Sequence, residues 1–219
     1  MKRKKLPTRR RRALRRVVWA LLVLLAVNHF FRVGYLLPGQ AIRDEEERTG
    51  TGRTWTVESR WVPALHRTQR FYLRENENAV LLGNTYLSLF GWETGSGGAV
   101  DCSEAAPVHV AVQQISRDGK ATLHCYFGRI DDPAIETVVV SVQEITYNQG
   151  QETRKELRRL TAERSEFLTQ DGRTFFWLME TQDQERDPEQ IIQPVLIAYG
   201  ANGTVTAEFD IQQMQFSSC

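Results

Sequence analysis

Val108-His109-Val110-Ala111-Val112-Gln113-Gln114-Ile115-Ser116-Arg117-Asp118-Gly119-Lys120-Ala121-Thr122-Leu123-His124-Cys125-Tyr126-Phe127 is the stretch that decides the fold class. Val108, Val110 and Val112 alternate with His109, Ala111 and Gln113, and Leu123, Cys125 and Phe127 alternate with Thr122, His124 and Tyr126. A period of two is the side-chain period of a strand, and an Asp-Gly pair between two such runs tolerates the positive φ of a tight antiparallel turn. The stretch predicts a β-hairpin. With Asp118-Gly119 as a two-residue loop, Val112 faces Cys125 and Gln113 faces His124, so Cys125 points to the core side.

The pattern continues on both sides of this hairpin. Upstream, Thr54 to Val62 reads as a first strand ending at Pro63. Arg70 to Arg74 and Ala79 to Gly83 flank the turn Glu75-Asn76-Glu77-Asn78, and Thr85 to Glu93 follows as one strand. Gly95-Ser96-Gly97-Gly98 then reads as a break, leaving a loop that carries Asp101 and Cys102. Downstream, Ala134 to Tyr147 holds Val138, Val139, Val140 and Val142, the run expected of a strand covered on both faces. Asn148-Gln149-Gly150-Gln151 turns it. In Thr153 to Leu168, Leu157 and Leu160 fit a helix, but the neighbours are strands and a strand is the reading taken. Asp171-Gly172 turns into Thr174 to Thr181, whose Phe175, Phe176, Trp177, Leu178 and Met179 make the most apolar strand. Asp187-Pro188 with Gln190 is a helix-start signal good for one turn before Pro194. Val195 to Tyr199, the turn Ala201-Asn202-Gly203 and Thr204 to Ile211 form a last hairpin, with Val205, Ala207, Phe209 and Ile211 inward. About nine strands with short turns predict an all-β antiparallel sandwich or open barrel over residues 54–219.

The amino-terminal quarter follows a different rule. Between Lys2 and Arg16 lie ten positive charges and no negative one, and Val17 to Val27 is then entirely apolar. Val17 to Phe31 rises about 22 Å as a helix, short of a hydrocarbon core of about 30 Å, whereas continuing to Leu37 suffices to span. That longer span carries Asn28, His29 and Arg32 near one end, where Arg32 can snorkel, and places Trp19 and Tyr35 near the two boundaries. The expected organisation is a basic cytoplasmic tail at 1–16, a single transmembrane signal-anchor helix at 17–37 and a polar linker at 38–53. A cleaved secretory signal fits the same basic and apolar order, but no small-x-small site follows Val27 closely. Basic residues are retained inside, so the domain is expected outside the cell membrane. The partners implied are the bilayer, through Val17 to Leu37, and anionic lipid head groups at the basic tail.

The net charge of +1 conceals this division. Setting aside the ten tail charges and Arg32, 11 of the 28 basic residues, leaves 17 against 27 acidic ones. An outer domain near −10 is not built to bind nucleic acid.

Few residues carry chemistry. The three cysteines are Cys102, Cys125 and Cys219, with no CxxC among them, so no zinc site is expected. Cys102 and Cys125 fit a disulfide that would stabilise the fold by about 3 kcal/mol, and two separate buried thiols fit the same spacing. Cys219 ends the chain. His109 would lie opposite Gly128, on the order of 13 Å along the ladder from His124, too far to share a metal ion. Asp131-Asp132-Pro133 is a turn before the valine strand rather than an acid and base pair. No GxSxG, SxxK, HExxH or phosphate-binding loop is present, and Gly95 to Gly98 lacks the lysine and helix of a phosphate cradle. Asn202-Gly203-Thr204 matches a glycosylation acceptor, but a hairpin turn accounts for it. Phe90, Trp92, Trp177 and Tyr199 are expected in the core. No catalytic, cofactor or metal residue emerges.

Tyr126-Phe127-Gly128-Arg129-Ile130-Asp131-Asp132-Pro133 leading into Val138 to Val142, Gly172-Arg173-Thr174-Phe175-Phe176-Trp177, and Ile197-Ala198-Tyr199-Gly200 before Asn202-Gly203 resemble small uncharacterised membrane-anchored β domains of Gram-positive bacteria. The likeness covers residues 108–211 and rests on strands and turns. It implies an extracytoplasmic placement and no activity. The functional expectation is a non-catalytic interaction or sensing module with an unidentified protein or envelope ligand. The alternatives are a tethered or secreted hydrolase of envelope polymers and an assembly subunit of a membrane complex.

Overall fold

The structure, a computed structural model, describes residues 9–31, 34–64, 67–89, 91–117, 121–148, 151–183 and 191–211. Two helices, α1 (Arg9–Phe31) and α2 (Pro38–Thr49), precede twelve strands. These are β1 (Trp55–Ala64), β2 (Arg67–Glu75), β3 (Ala79–Ser88), β4 (Gly91–Asp101), β5 (Val108–Arg117), β6 (Ala121–Ile130), β7 (Ile135–Asn148), β8 (Gln151–Glu163), β9 (Leu168–Gln170), β10 (Arg173–Asp183), β11 (Ile191–Gly200) and β12 (Val205–Asp210). All their pairings are antiparallel, as expected of an all-β fold.

The strands form three four-stranded sheets in the orders β1-β2-β3-β4, β5-β6-β10-β9 and β12-β11-β7-β8. The first is a plain meander. The other two are each made of two hairpins joined through an inner pair, β6 with β10 and β7 with β11. Between the first and second sheets lie Phe71, Leu73, Val80, Leu82, Leu123, Cys125, Phe127, Phe175 and Trp177. Between the second and third lie Val112, Tyr126, Ile130, Phe176, Val138, Val140, Leu196 and Ala198. The second sheet is therefore buried on both faces, and consecutive residues Tyr126 and Phe127 enter different cores. The fold is a stack of three layers, where the sequence suggested a two-sheet sandwich or open barrel.

Other expectations change at the level of elements. The β5-β6 hairpin forms, but Val112 pairs with Tyr126, Gln113 with Cys125 and His109 with Arg129, one position from the predicted register. Arg117 pairs with Ala121, so three residues separate the strands where two were expected; Asp118-Gly119 itself lies outside the described residues. Gly95 to Gly98 does not break the chain but runs inside β4. Thr85 to Glu93 is not one strand: Leu89 stands in a turn between β3 and β4. Pro194, expected to close a helical turn, pairs with Val142 inside β11; the helix-start signal at Asp187 lies outside the described residues. Asp171-Gly172 does turn β9 into β10, with φ of 50° and 77°.

The amino-terminal reading also changes. α1 joins Arg9 to Arg16 and the apolar run in one helix, but ends at Phe31 rather than Leu37. Tyr35 instead bridges to Trp92, its N–H donating to the Trp92 carbonyl at 2.6 Å and its carbonyl accepting the Trp92 N–H at 2.7 Å. Residues 35–37 thus belong to the β domain. The apolar part of α1 is correspondingly short, and among the described residues no helix is long and apolar enough to cross a membrane. The expected linker at 38–53 is largely α2, begun by Pro38 at its first position and ended at Gly50.

Candidate functional site

Three places hold the polar or exposed groups from which a site could be made. The first is the end of the second sheet where β6 runs into Asp131. Arg129 donates from Nε to Asp131 Oδ1 at 2.6 Å and from Nη2 to Oδ2 at 2.8 Å. Its remaining donors reach two backbone carbonyls, Nη1 to Glu77 at 3.1 Å and Nη2 to Cys102 at 3.0 Å. His109, directly across the ladder, places Nε2 3.1 Å from Asp131 Oδ2. Burial raises the Asp131 pKa, but the hydrogen bond and charge of Arg129, with His109, outweigh it and hold the carboxyl below its usual value. A guanidinium spent on two turn carbonyls and a carboxylate is a brace between sheets, not a poised acid or base. His109 and Asp131, which the sequence left as a strand histidine and a turn, are thus brought together.

Cys102 and Cys125, weighed as a disulfide pair, are both buried free thiols in the core between the first two sheets. Burial pushes the Cys102 thiol up to about 11 and raises that of Cys125 further, so neither is a ready thiolate. His124 pairs across the ladder with Gln114, five positions from the His109 pair and on the order of 17 Å away. Among the described residues no three His, Cys, Asp or Glu side chains gather as a metal site. His66 and Cys219 lie outside the described residues.

The second place is the seat of α2 on β3 and β4. Ala41, Ile42, Glu45 and Glu46 are its buried face, a helical spacing whose two glutamates disguise it as polar linker. Glu46 Oε1 accepts from the Thr54 N–H at 2.8 Å, the Thr54 hydroxyl at 2.6 Å and Arg74 Nη2 at 3.0 Å. Glu45 lies over Gly97, where any Cβ would collide with its carboxyl oxygen. Desolvation raises the Glu45 pKa, with Arg48 opposing. The Gly95 to Gly98 tract, read as a loop, exists to admit side chains: Asn84 occupies the space over Gly95 as Glu45 does over Gly97.

The third place is the end of the first sheet beside the β3-β4 turn. Leu89 is 91% exposed, Leu87 66% and Trp61 54%. The Trp61 and Trp92 rings lie 6.2 Å apart, and the Arg70 guanidinium stands 5.7 Å from Trp61 and 5.1 Å from Tyr72. Leu36 and Leu37, next to the Tyr35 bridge, are exposed as well. Of the aromatics expected in the core, Trp177 is buried, Trp92 and Tyr199 are half-buried, and Phe90 lies outside the described residues. No local pattern marks the patch around Trp61, because its members are far apart in the chain.

The depressions on the surface are open. One of about 620 Å³ lies on the outer face of the third sheet, lined by Arg159, Glu163 and Tyr199 among others; two more, of about 570 and 550 Å³, flank α2. No family model, no curated protein and no solved structure matches the chain.

Proposed function

We propose that the chain is a membrane-tethered extracytoplasmic β domain acting as a non-catalytic interaction or sensing module, with its amino terminus on the cytoplasmic side. The observation that carries this reading is the surface of α1. Every α1 side chain that the structure describes is exposed, including Val17, Val18, Trp19, Leu21, Leu22 and Val23. A continuous apolar helix surface that its own domain leaves uncovered needs another apolar phase. The arginines on its amino-terminal side favour a bilayer with an anionic inner leaflet. Snorkelling of the Arg15 and Arg16 stems extends the apolar length back to Leu14, so that Leu14 to Phe31 rises about 27 Å, close to a thin hydrocarbon core. The non-catalytic part of the reading is supported by the consumption of Arg129, Asp131 and His109 in a brace and by the protonated state of the buried thiols.

The test is topology. The full chain is expected to stay with membranes after a high-pH wash, and added protease on spheroplasts should digest residues 54–219 while sparing the tail. Release by the wash, or a mature amino terminus near Ile42 in mass spectrometry, would overturn the anchor.

A further inference from the structure

α1 leads into the β domain through a short connection. Four residue steps separate Phe31 from Tyr35, a reach of at most about 14 Å. Tyr35 is locked to Trp92 by two backbone hydrogen bonds, and the approach is possible because residue 91 is glycine: its φ is +127°, and a Cβ there would stand 2.5 Å from the Tyr35 carbonyl oxygen. Whatever phase surrounds the end of α1 therefore lies within that reach of Tyr35, which is bridged to the start of β4 just after the β3-β4 turn. Exposed apolar side chains gather at that end of the domain. Leu36, Leu37, Leu87 and Leu89 are exposed there, beside the Trp61 and Trp92 rings.

We infer that this end of the first sheet is seated in the outer head-group layer of the bilayer, with Leu87 and Leu89 reaching the acyl boundary and Trp61 and Trp92 at head-group depth. The inference rests on α1 being the anchor, and it adds that the domain is docked on the membrane rather than swinging above it. Leucine at the deeper level with tryptophan beside it is the arrangement that an interface favours. The occupant is the bilayer and not a soluble protein, because the patch lies beside Tyr35, only four residue steps from the end of α1, whose described apolar side chains are exposed. The docked geometry would hold α2 and the third sheet at a defined height and turn.

The experiment uses the full chain in phosphatidylcholine vesicles whose acyl chains are brominated near the head group, and reads quenching of tryptophan fluorescence. Trp61→Phe with Trp92→Phe, and separately Trp19→Phe, assign the quenched component. The expected result is quenching of both Trp19 and the Trp61 and Trp92 pair. Leu87→Glu with Leu89→Glu should abolish the quenching of the pair while Trp19 stays quenched; buried Trp177 reports that the domain remains folded. Quenching of Trp19 alone in the unaltered chain would overturn the docking and leave the anchor standing. Loss of quenching at Trp19 as well would overturn both. Pair quenching that survives the two glutamates would show that the tip leucines do not seat the domain, which also overturns the inference.

Discussion

Arg129 does the work of several residues. Its side chain joins the turn before β3, the turn after β4 and the carboxylate of Asp131, so one guanidinium holds the first two sheets in register. Arg129→Ala leaves the buried Cys102 carbonyl and the partly buried Glu77 carbonyl without their donor, and Asp131 with His109. The expected loss is about 2–4 kcal/mol, the lower part applying because Asp131 is about one-third exposed; a denaturant midpoint measures it. The pH dependence follows from the depressed Asp131 pKa. Its stabilisation is complete above the unfolded-state value near 3.8 and is lost as pH falls through the lower folded value. Asp131→Asn should therefore cost stability at neutral pH and narrow its difference from the wild type in acid. Glu45 has the opposite sign. Its folded pKa is raised, so its contribution is present below the unfolded value near 4.5 and is lost as pH rises through the folded value. Glu45→Gln should raise the unfolding midpoint at neutral pH and flatten that part of the profile. Gly97→Ala, by contrast, drives a methyl into the Glu45 carboxyl and should cost about 1–3 kcal/mol, seen as easier proteolysis at α2.

Among the elements, β8 stands out as a long edge strand whose first seven residues, Gln151 to Leu157, are all exposed. It lies at the end of the third sheet, paired on one side to β7 alone, with unsatisfied backbone groups facing solvent. Such an edge invites pairing with another molecule unless charge discourages it, and Arg154, Lys155, Glu156, Arg158 and Arg159 supply that charge. Replacing Arg154 and Lys155 by valine should leave the monomer folded yet shift it to larger species in light scattering; a variant that stays monomeric would show that the charges have another purpose. The same strand explains what sequence patterning can reveal. β8 was assigned by its neighbours and β5-β6 by alternation, because a strand with one polar face writes its period into the chain. α2 left no such mark, since two of its four buried positions are glutamates, Glu46 held by Thr54 and Arg74 from outside the helix and Glu45 by Arg48 of the helix's own last turn. β4 was missed because its glycines serve a neighbouring helix, and glycine in a strand reads as a break. The hairpin register slipped by one because loop length, two residues or three, is not fixed by an Asp-Gly pair alone.

The three-layer stack itself could not be read locally, for hairpins do not announce which sheet they join. Phe175 to Met179 read as the most apolar strand, and the third layer explains why: Phe175 and Trp177 enter one core and Phe176 the other. This topology has a consequence for how the molecule unfolds. The chain passes between the second and third sheets three times, from β6 to β7, from β8 to β9 and from β10 to β11. Neither sheet can open without stripping strands from the other. The first sheet is a contiguous meander joined by the single β4-β5 connection, and it is held by its core, by Arg129 and by the Arg173 to Glu75 pair at 2.5 Å. Leu82→Ala and Leu196→Ala remove fully buried leucines from the two cores, each at a cost of about 2–5 kcal/mol. They should act differently in native-state hydrogen exchange. Leu82→Ala is expected to release β1 to β4 as a unit while β7 and β11 keep their protection. Leu196→Ala should lower protection in β6, β10, β7 and β11 together, because the interleaved sheets have no separate way to open. If Leu196→Ala loosened the third sheet and left β6 and β10 protected, the interleaved sheets would not be a single cooperative unit, and the crossings would be mere connections.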